Sequence, residues 1–357
     1  MNIASYKGTY RADFYSDFSF TAEVAQQSHK FFIIDKKVFG IYRETLSKLV
    51  GSDLYYLLDA VEENKNVDKA LEIMDQMVNM PSKRNTVLVA IGGGIVQDVA
   101  AFIANVLYRG ISWILVPTTL LAQTDSCIGS KSSLNFRGYK NLLGYFYPPD
   151  RIYINTEFLH TLERKDYFSG LGEIMKCALM AGYGSFRETA GNMEDVLDHK
   201  EDALLKEIHK ALEFKRNVIE QDEFDRDYRN IMNFGHTFGH ALESVSGYAV
   251  PHGQAVSYGM MIANRISCQR GYISREMLQE IDTAIWNIVM PELVCRDFFA
   301  EALYLNAMKK DKKYTGGQHT CILFDGDGVG KYTDIRDGEI MDAAGRVMEE
   351  AGKRLGK

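Results

Sequence analysis

An excess of positive charge is the first thing this sequence lacks. Lys and Arg total 41 against 48 Asp and Glu, a formal net charge of −7 over 357 residues. That balance does not favour a broad grip on a phosphate backbone, so no nucleic-acid partner is expected. It leaves room for a small basic pocket that takes a phosphorylated metabolite. The five cysteines (Cys127, Cys177, Cys268, Cys295 and Cys321) are odd in number and widely spaced, with no Cys-x-x-Cys pair. That excludes both a disulfide framework and a thiolate zinc site. No run reaches the roughly 18 apolar residues of a membrane span. The longest apolar region, residues 87–122, is broken by Gly92-Gly93-Gly94, Gln97-Asp98 and Arg109. The opening MNIASYKGTY has no charged-then-apolar order, so a reduced, soluble, cytoplasmic protein without a membrane partner is expected.

Proline is scarce too. Pro81, Pro117, Pro148 and Pro149 lie before residue 150, and only Pro251 and Pro291 lie beyond it. So few breakers over such a length agree with long helices in the second half. Apolar residues at 46% and charged residues at 25% exclude a mainly disordered chain. The length suits two domains rather than one.

The first half alternates short β-branched runs with helical patterns. FFIID (31–35), residues 54–58, TVLVAI (86–91) and SWILVP (112–117) read as strands. Residues 68–80 carry Leu71, Met74, Met77 and Met80 at helix spacing, and a further helix is expected over 98–108. Strand and helix alternating in this way imply a parallel sheet with crossover helices. Beyond residue 156, helical patterns dominate over 167–182, 200–221, 230–245, 253–271 and 275–289, with one β-like segment at 319–324. The expected architecture is a Rossmann-like α/β domain over residues 1–155 and a mostly α-helical domain over 156–357. The active site is expected where the two halves meet.

Three polar constellations stand out. Gly92-Gly93-Gly94 follows a strand and opens a helix, where backbone N–H groups approach a phosphate closely. It is not the G-x-G-x-x-G fingerprint, and a tight strand-to-helix turn would use the same residues. Arg229, Asn233, His236 and His240, spaced by 4, 3 and 4, fall on one stripe of an otherwise apolar helix. Burying such groups without partners would cost several kcal/mol, at least ~2 for each, so the stripe points to a site. His236 is a candidate divalent-metal ligand, with His252 in the loop after the helix and Glu173 as a carboxylate. Spacing leaves His236, His240 and His252 as alternatives. Two His and one carboxylate would keep a coordination position open for substrate. His29, His160, His199, His209 and His319 read as surface or core residues. Asp125, Lys131, Lys140 and Asn141 form the third cluster, in TDSCIGSKSSLNFRGYKNLLG. Glu173 and Lys176 share a helix face in apolar surroundings.

GGGIVQD (92–98), YRG (108–110), VPTTLLAQTDSCIGSK (116–131), KNLLG (140–144), GLGEIMK (170–176), RNIMNFGHTFGHALE (229–243), PHGQAVSYGM (251–260) and KKDKK (309–313) occur in one order. On these stretches the chain resembles the dehydroquinate synthase family of sugar-phosphate cyclases. The resemblance implies an NAD- and metal-dependent lyase that cyclises a sugar phosphate and releases phosphate, with NAD unchanged at the end. It implies Glu173, His236 and His252 as ligands of zinc or cobalt. NAD would be held by Gly92, Gly93, Gly94, Asp98, Thr118 and Thr119, by Glu62 and Lys65, and by Asp35, Asp125, Lys140 and Thr161. Asp125, Lys131, Lys176 and Lys215 would meet the substrate's hydroxyls and reacting centre. Lys131, Asn141, His240 and Lys313 would hold its phosphate, with Arg109 reaching in from a neighbouring copy of a homodimer. Arg229, with Lys215 and Asn233, would bind a carboxylate, which favours a heptulosonate phosphate and hence 3-dehydroquinate as product.

The sequence departs from the family's pattern at Gln97 and Ser130, each in place of a common glycine, and in LNFRGYKN (134–141), which looks more like the sedoheptulose-phosphate cyclases. A cyclase of another sugar phosphate is therefore the second reading. A metal-dependent NAD alcohol dehydrogenase is the third, and it would leave Lys131, Lys140, Lys176 and Arg229 with no anion to meet.

Overall fold

In a computed structural model that describes residues 1–81, 83–137, 139–309, 314–315 and 318–356, the chain forms two compact units. The first comprises Met1–Leu162 and Leu204–Asp225, the second Glu163–Ala203 and Arg226–Lys357.

The first unit contains β1 (Asn2–Ser5), β2 (Gly8–Tyr15), β3 (Lys30–Asp35), β4 (Leu54–Leu58), β5 (Val87–Gly92), β6 (Trp113–Pro117), β7 (Lys131–Phe136), β8 (Tyr139–Phe146) and β9 (Arg151–Asn155). Its helices are α1 (Phe20–Ala25), α2 (Lys36–Ile41), α3 (Arg43–Val50), α4 (Val67–Met77) and α5 (Gly94–Val106). One sheet runs in the order β1-β2-β9-β6-β5-β3-β4, parallel throughout except for the β1–β2 pair. Strands covered on both faces read as unbroken apolar runs, which is why β3, β5 and β6 are legible in the sequence. Phe20, Phe32, Ile34, Val89, Ile91, Val116, Tyr153 and Phe158 belong to one buried core cluster of this unit. The stretch around Lys131 and Lys140, which the sequence shows only as a polar cluster, is the antiparallel ribbon β7–β8. Its second strand is mostly exposed, so no apolar alternation announces it.

The second unit is largely helical, with α6 (Arg164–Met180) and α7 (Tyr183–Leu197) at its start. The long helix α8 (Glu201–Gln221) belongs to the first unit from Leu204 onward. The second unit resumes with α9 (His236–Val245), α10 (His252–Gln269), α11 (Arg275–Trp286), α12 (Glu301–Lys309) and α13 (Asp337–Arg354). The strands β10 (Tyr314–Thr315), β11 (Gln318–Phe324) and β12 (Val329–Ile335) form a small antiparallel sheet. From Gly253 to Ser267 every residue of α10 is buried, so this helix is enclosed all round. Among the described residues, no helix is long and apolar enough to cross a membrane.

One helical expectation fails. Residues 230–245 are not a single helix: Tyr228–Asn233 is a 3-10 turn, and α9 starts only at His236. Gly235 between them lies at φ +75°, and a Cβ there would come within 2.8 Å of the Val256 carbonyl oxygen on α10. That close approach turns the chain, so Arg229 and Asn233 do not share a helical stripe with His236 and His240.

Candidate active site

In the second unit, α6, α9 and α10 pack closely enough that glycine is required where they touch. A Cβ on Gly253 would sit 1.8 Å from the Ser169 carbonyl oxygen, and one on Gly172 would sit 2.4 Å from that of Gly253. The Gly253 N–H also donates to Ser169 Oγ at 2.8 Å. Each of these glycines adjoins a candidate ligand. Gly172 precedes Glu173, Gly235 precedes His236, and Gly253 follows His252. The contacts therefore gather one donor atom from each of Glu173, His236 and His252 within 4.8 Å of one another. The rings of His236 and His252 lie 5.1 Å apart, and those of His236 and His240 5.2 Å.

This set fits a divalent metal. Glu173 is fully buried, and neither carboxylate oxygen has a hydrogen-bond partner. A charge so enclosed is stable only beside a cation. Lys176, one turn along α6, brings its Nζ to 2.5 Å from Glu173 Oε2 as an ion pair without hydrogen-bond geometry. His252 Nε2 is 3.6 Å from Glu173 Oε1, and its Nδ1 meets Glu243 Oε2 at 3.3 Å. A carboxylate behind a ligating imidazole orients the ring and makes it a better donor. His236 Nδ1 faces the Phe234 carbonyl oxygen at 3.0 Å, leaving Nε2 as the outward donor. Burial, then the charges of Lys176, His252 and His240, hold His236 well below the usual imidazole range, so it stays neutral and able to ligate. Burial pulls His252 down as well, but its bond to Glu243 and the charges of Glu243 and Glu173 outweigh that and raise it. A second possible donor group joins His240, Glu243 and His252.

Arg229 is 5% exposed, and Lys176 1%. Asn233 is half-buried and donates to the Asn230 carbonyl oxygen. Lys313 lies outside the described residues.

The first unit gathers two polar groups of its own. Lys65 Nζ pairs with Asp98 Oδ2 at 2.6 Å and donates to Asn141 Oδ1 at 2.7 Å. The Ser133 N–H donates to Asp98 Oδ1, and Asn135 Nδ2 to Glu62 Oε1. Lys140 Nζ is 3.6 Å from Glu62. The predicted residues Glu62, Lys65, Asp98, Lys140 and Asn141 are thus one network, closed by the β7–β8 ribbon. Burial pushes the Asp98 carboxyl up against the opposing pull of Lys65. Helix α5 begins at Gly94 directly after β5, so its first N–H groups open at the carboxyl end of the sheet. Nearby, Thr118 is buried with an unpartnered Oγ1, and Thr119 Oγ1 accepts from the Ala122 N–H. Asp35 caps α2 through the N–H groups of Lys37 and Val38, and Thr161 Oγ1 shares a hydrogen bond with Tyr42. In the second group, Lys215 Nζ on α8 donates to both the carbonyl oxygen and Oδ1 of Asp125, at 2.5 and 2.8 Å. Lys131 pairs with Asp225 at 2.6 Å. Arg109 is exposed, at φ +68° in a tight turn after α5.

Two family models match the chain in tandem: "3-dehydroquinate synthase N-terminal" over residues 55–169 and "3-dehydroquinate synthase C-terminal" over 170–314. A 3-dehydroquinate synthase of Thermoanaerobacter pseudethanolicus is 32% identical over 336 residues, 92% of this chain and 94% of that protein. The chain belongs to the 3-dehydroquinate synthase family. It is accordingly an enzyme, a sugar-phosphate cyclase of the 3-dehydroquinate synthase type. Solved relatives share the fold at lower identity. A 2-epi-5-epi-valiolone synthase from Streptomyces hygroscopicus subsp. jinggangensis, with NAD+ and Zn2+ bound, superposes with a TM-score of 0.81 at 23% identity, over 96% of this chain and 97% of that one. A 2-deoxy-scyllo-inosose synthase complexed with carbaglucose-6-phosphate, NAD+ and Co2+ also gives 0.81, at 21% identity over 96% and 98%.

Several partners of this family member's polar groups escaped sequence reasoning. Glu243 was signalled by its position seven residues after His236, on the same face of α9. Ser133 and Asn135 needed the ribbon to be recognised. Asp225 had no signal, because it meets Lys131 only through the return of residues 204–225 to the first unit.

Proposed function

We propose that this enzyme cyclises 3-deoxy-D-arabino-heptulosonate 7-phosphate to 3-dehydroquinate with release of phosphate, using NAD and one divalent metal, zinc or cobalt. The observation that carries this choice of substrate is the buried guanidinium of Arg229, in the unit that holds the Glu173, His236 and His252 donors. The planar fork of a guanidinium matches a carboxylate with two parallel hydrogen bonds, and a buried one reads that shape more selectively than an exposed one. The 32% identity to a 3-dehydroquinate synthase along nearly its whole length supports the same reading.

A metal on Glu173, His236 and His252 would supply Lewis acidity toward a substrate hydroxyl, and NAD would supply a reversible hydride acceptor. Around them the chain's own groups bind and orient. Glu243 fixes the His252 ring, and Lys176 offers an ammonium beside Glu173. In the first unit, the Gly92–Gly94 turn, Thr118, Thr119 and the Glu62–Lys65–Asp98–Lys140 network would hold the dinucleotide, with Asp35, Asp125 and Thr161 around it. Asp125 holds the Lys215 ammonium in place and Asp225 that of Lys131, so that both lysines would meet the substrate as oriented donors. Lys131, Asn141, His240 and Lys313 would receive the phosphate, together with Arg109 of a second copy in a homodimer. Asn233 would assist Arg229 at the carboxylate.

The β7–β8 ribbon favours a second reading. Its LNFRGYKN segment contributes Asn135 and Asn141 to the dinucleotide network, and it is where the chain looks most like cyclases of carboxylate-free sugar phosphates. The test is phosphate release by metal-loaded protein with NAD, on heptulosonate 7-phosphate, sedoheptulose 7-phosphate and glucose 6-phosphate, with NADH absorbance followed in parallel. Release from the heptulosonate alone, without NADH accumulation, is expected. Turnover of a neutral sugar phosphate instead would overturn the proposal.

A further inference from the structure

The π-helical turn Ala122–Ser126 carries Asp125, whose carbonyl oxygen and carboxylate both accept from the Lys215 ammonium. The next residue is gripped from the opposite side. Gln97, buried on the first turns of α5, donates from Nε2 to the Ser126 carbonyl oxygen at 2.5 Å. Its Oε1 accepts from Ser126 Oγ at 2.8 Å. The two ends of one amide therefore engage the hydroxyl and the carbonyl oxygen of one residue, which fixes the residue that follows Asp125. The glycine common at this position in the family makes neither bond.

The far end of the same segment is tied down in a similar way. Ser130 lies at φ +66°, in the left-handed region where a side chain costs ~1 kcal/mol or more. Its Oγ donates to Glu223 Oε1 at 2.6 Å, and Glu223 also accepts from Ser5 Oγ and the Tyr6 N–H. Both positions where a common glycine is replaced thus add hydrogen bonds that glycine lacks, and both brace the stretch from Asp125 to Lys131.

We propose that Gln97 is a positioning residue for the reaction. By clamping Ser126 it fixes Asp125, and through Asp125 it presents the Lys215 ammonium to the substrate in one geometry. This rests on the assignment of Asp125 and Lys215 to the substrate made above. An amide serving only to fill the core between α5 and the turn would affect stability without affecting turnover.

Gln97→Met keeps the length of the side chain and removes both bonds, and Ser126→Ala removes only the hydroxyl bond at a half-buried site. Two readouts are combined on the full chain. The first is steady-state turnover of heptulosonate 7-phosphate, with the NAD Kd measured separately. The second is hydrogen exchange of the Cys127 N–H, which donates to the Ala122 carbonyl oxygen at 3.0 Å and needs no turnover to be read. In Gln97→Met, kcat should fall ~10-fold or more with KM changed less than ~3-fold and the NAD Kd unchanged. Exchange of the Cys127 amide should rise ~10-fold or more. Ser126→Ala should give a smaller loss of kcat, and adding it to Gln97→Met should cost nothing further. Faster exchange with unchanged kcat in both variants would overturn the proposal, as would unchanged exchange. A wild-type chain that turns over no sugar phosphate would overturn the reaction assignment itself, and the wild-type control tells that failure from failure of the Gln97 role alone.

Discussion

Gly253→Ala is the sharpest test of how the candidate metal centre is built. The new Cβ would lie 1.8 Å from the Ser169 carbonyl oxygen and 2.6 Å from its carbonyl carbon, where real Cβ contacts do not fall below 3.0 Å. The obstacle is helix backbone, so no flexible side chain can swing aside. At least about 1.2 Å of new separation between α6 and α10 has to be found. Overpacking of this kind costs ~1–3 kcal/mol of stability. Metal–ligand distances tolerate only ~0.2 Å, and Glu173 sits one turn beyond Ser169 while His252 adjoins the substituted residue. If ~3 kcal/mol of strain persists in the bound state, zinc affinity falls ~100-fold. Zinc competition against a chromogenic chelator measures that loss, and urea unfolding of the metal-free protein measures the stability term separately. Gly191→Ala on α7 is the control, since its Cβ meets nothing within 4 Å and it should be neutral or slightly stabilising. A zinc Kd within ~2-fold of wild type in Gly253→Ala would refute the argument that helix contact sets the donor spacing.

Arg229→Leu should lower kcat/KM for the heptulosonate ~100-fold or more while sparing any activity on sedoheptulose 7-phosphate, and equal losses on both would remove the carboxylate role. Lys65→Met should weaken NAD binding ~10-fold without changing zinc affinity, as read by tryptophan quenching and chelator competition; loss of zinc affinity as well would mean the two networks are not independent. Away from the site, burial pushes the Asp282 carboxyl up to about 7 against the pull of Arg265. The folded state therefore holds this proton more tightly than the unfolded chain, where Asp titrates near ~4. The resulting stability is present below that value and is lost as pH rises through about 7. Urea midpoints should decline less steeply between roughly pH 5 and pH 8 in Asp282→Asn, and equal slopes would refute the shift.

The sheet was legible where burial is two-sided. The apolar runs of β3, β5 and β6 need no partner to be recognised, because both faces of each strand must be covered. β1, β2 and the β7–β8 ribbon were not legible, since edge and ribbon strands mix exposed and buried positions without a clean alternation. α7 and α13 also went unread, although both have a buried stripe. The break at Gly235 is invisible locally, because the residues around it keep helical spacing, and only the Val256 carbonyl oxygen on α10 forces the turn.

By itself the sequence determined chemical identity: which carboxylate, imidazole, ammonium and guanidinium groups are present, the order of the motifs that carry them, and the fold class that alternating strands and long helices impose. Residue type and local period carry all of these, and a linear chain displays both. The tertiary structure alone decided distance. It chose His236 and His252 to stand with Glu173, since three donors converge only where glycines let α6, α9 and α10 touch. It also gave Asp125 its Lys215, and Ser126 its Gln97, across 90 and 29 residues of chain. No local preference encodes such separations; they are set by the packing of whole elements.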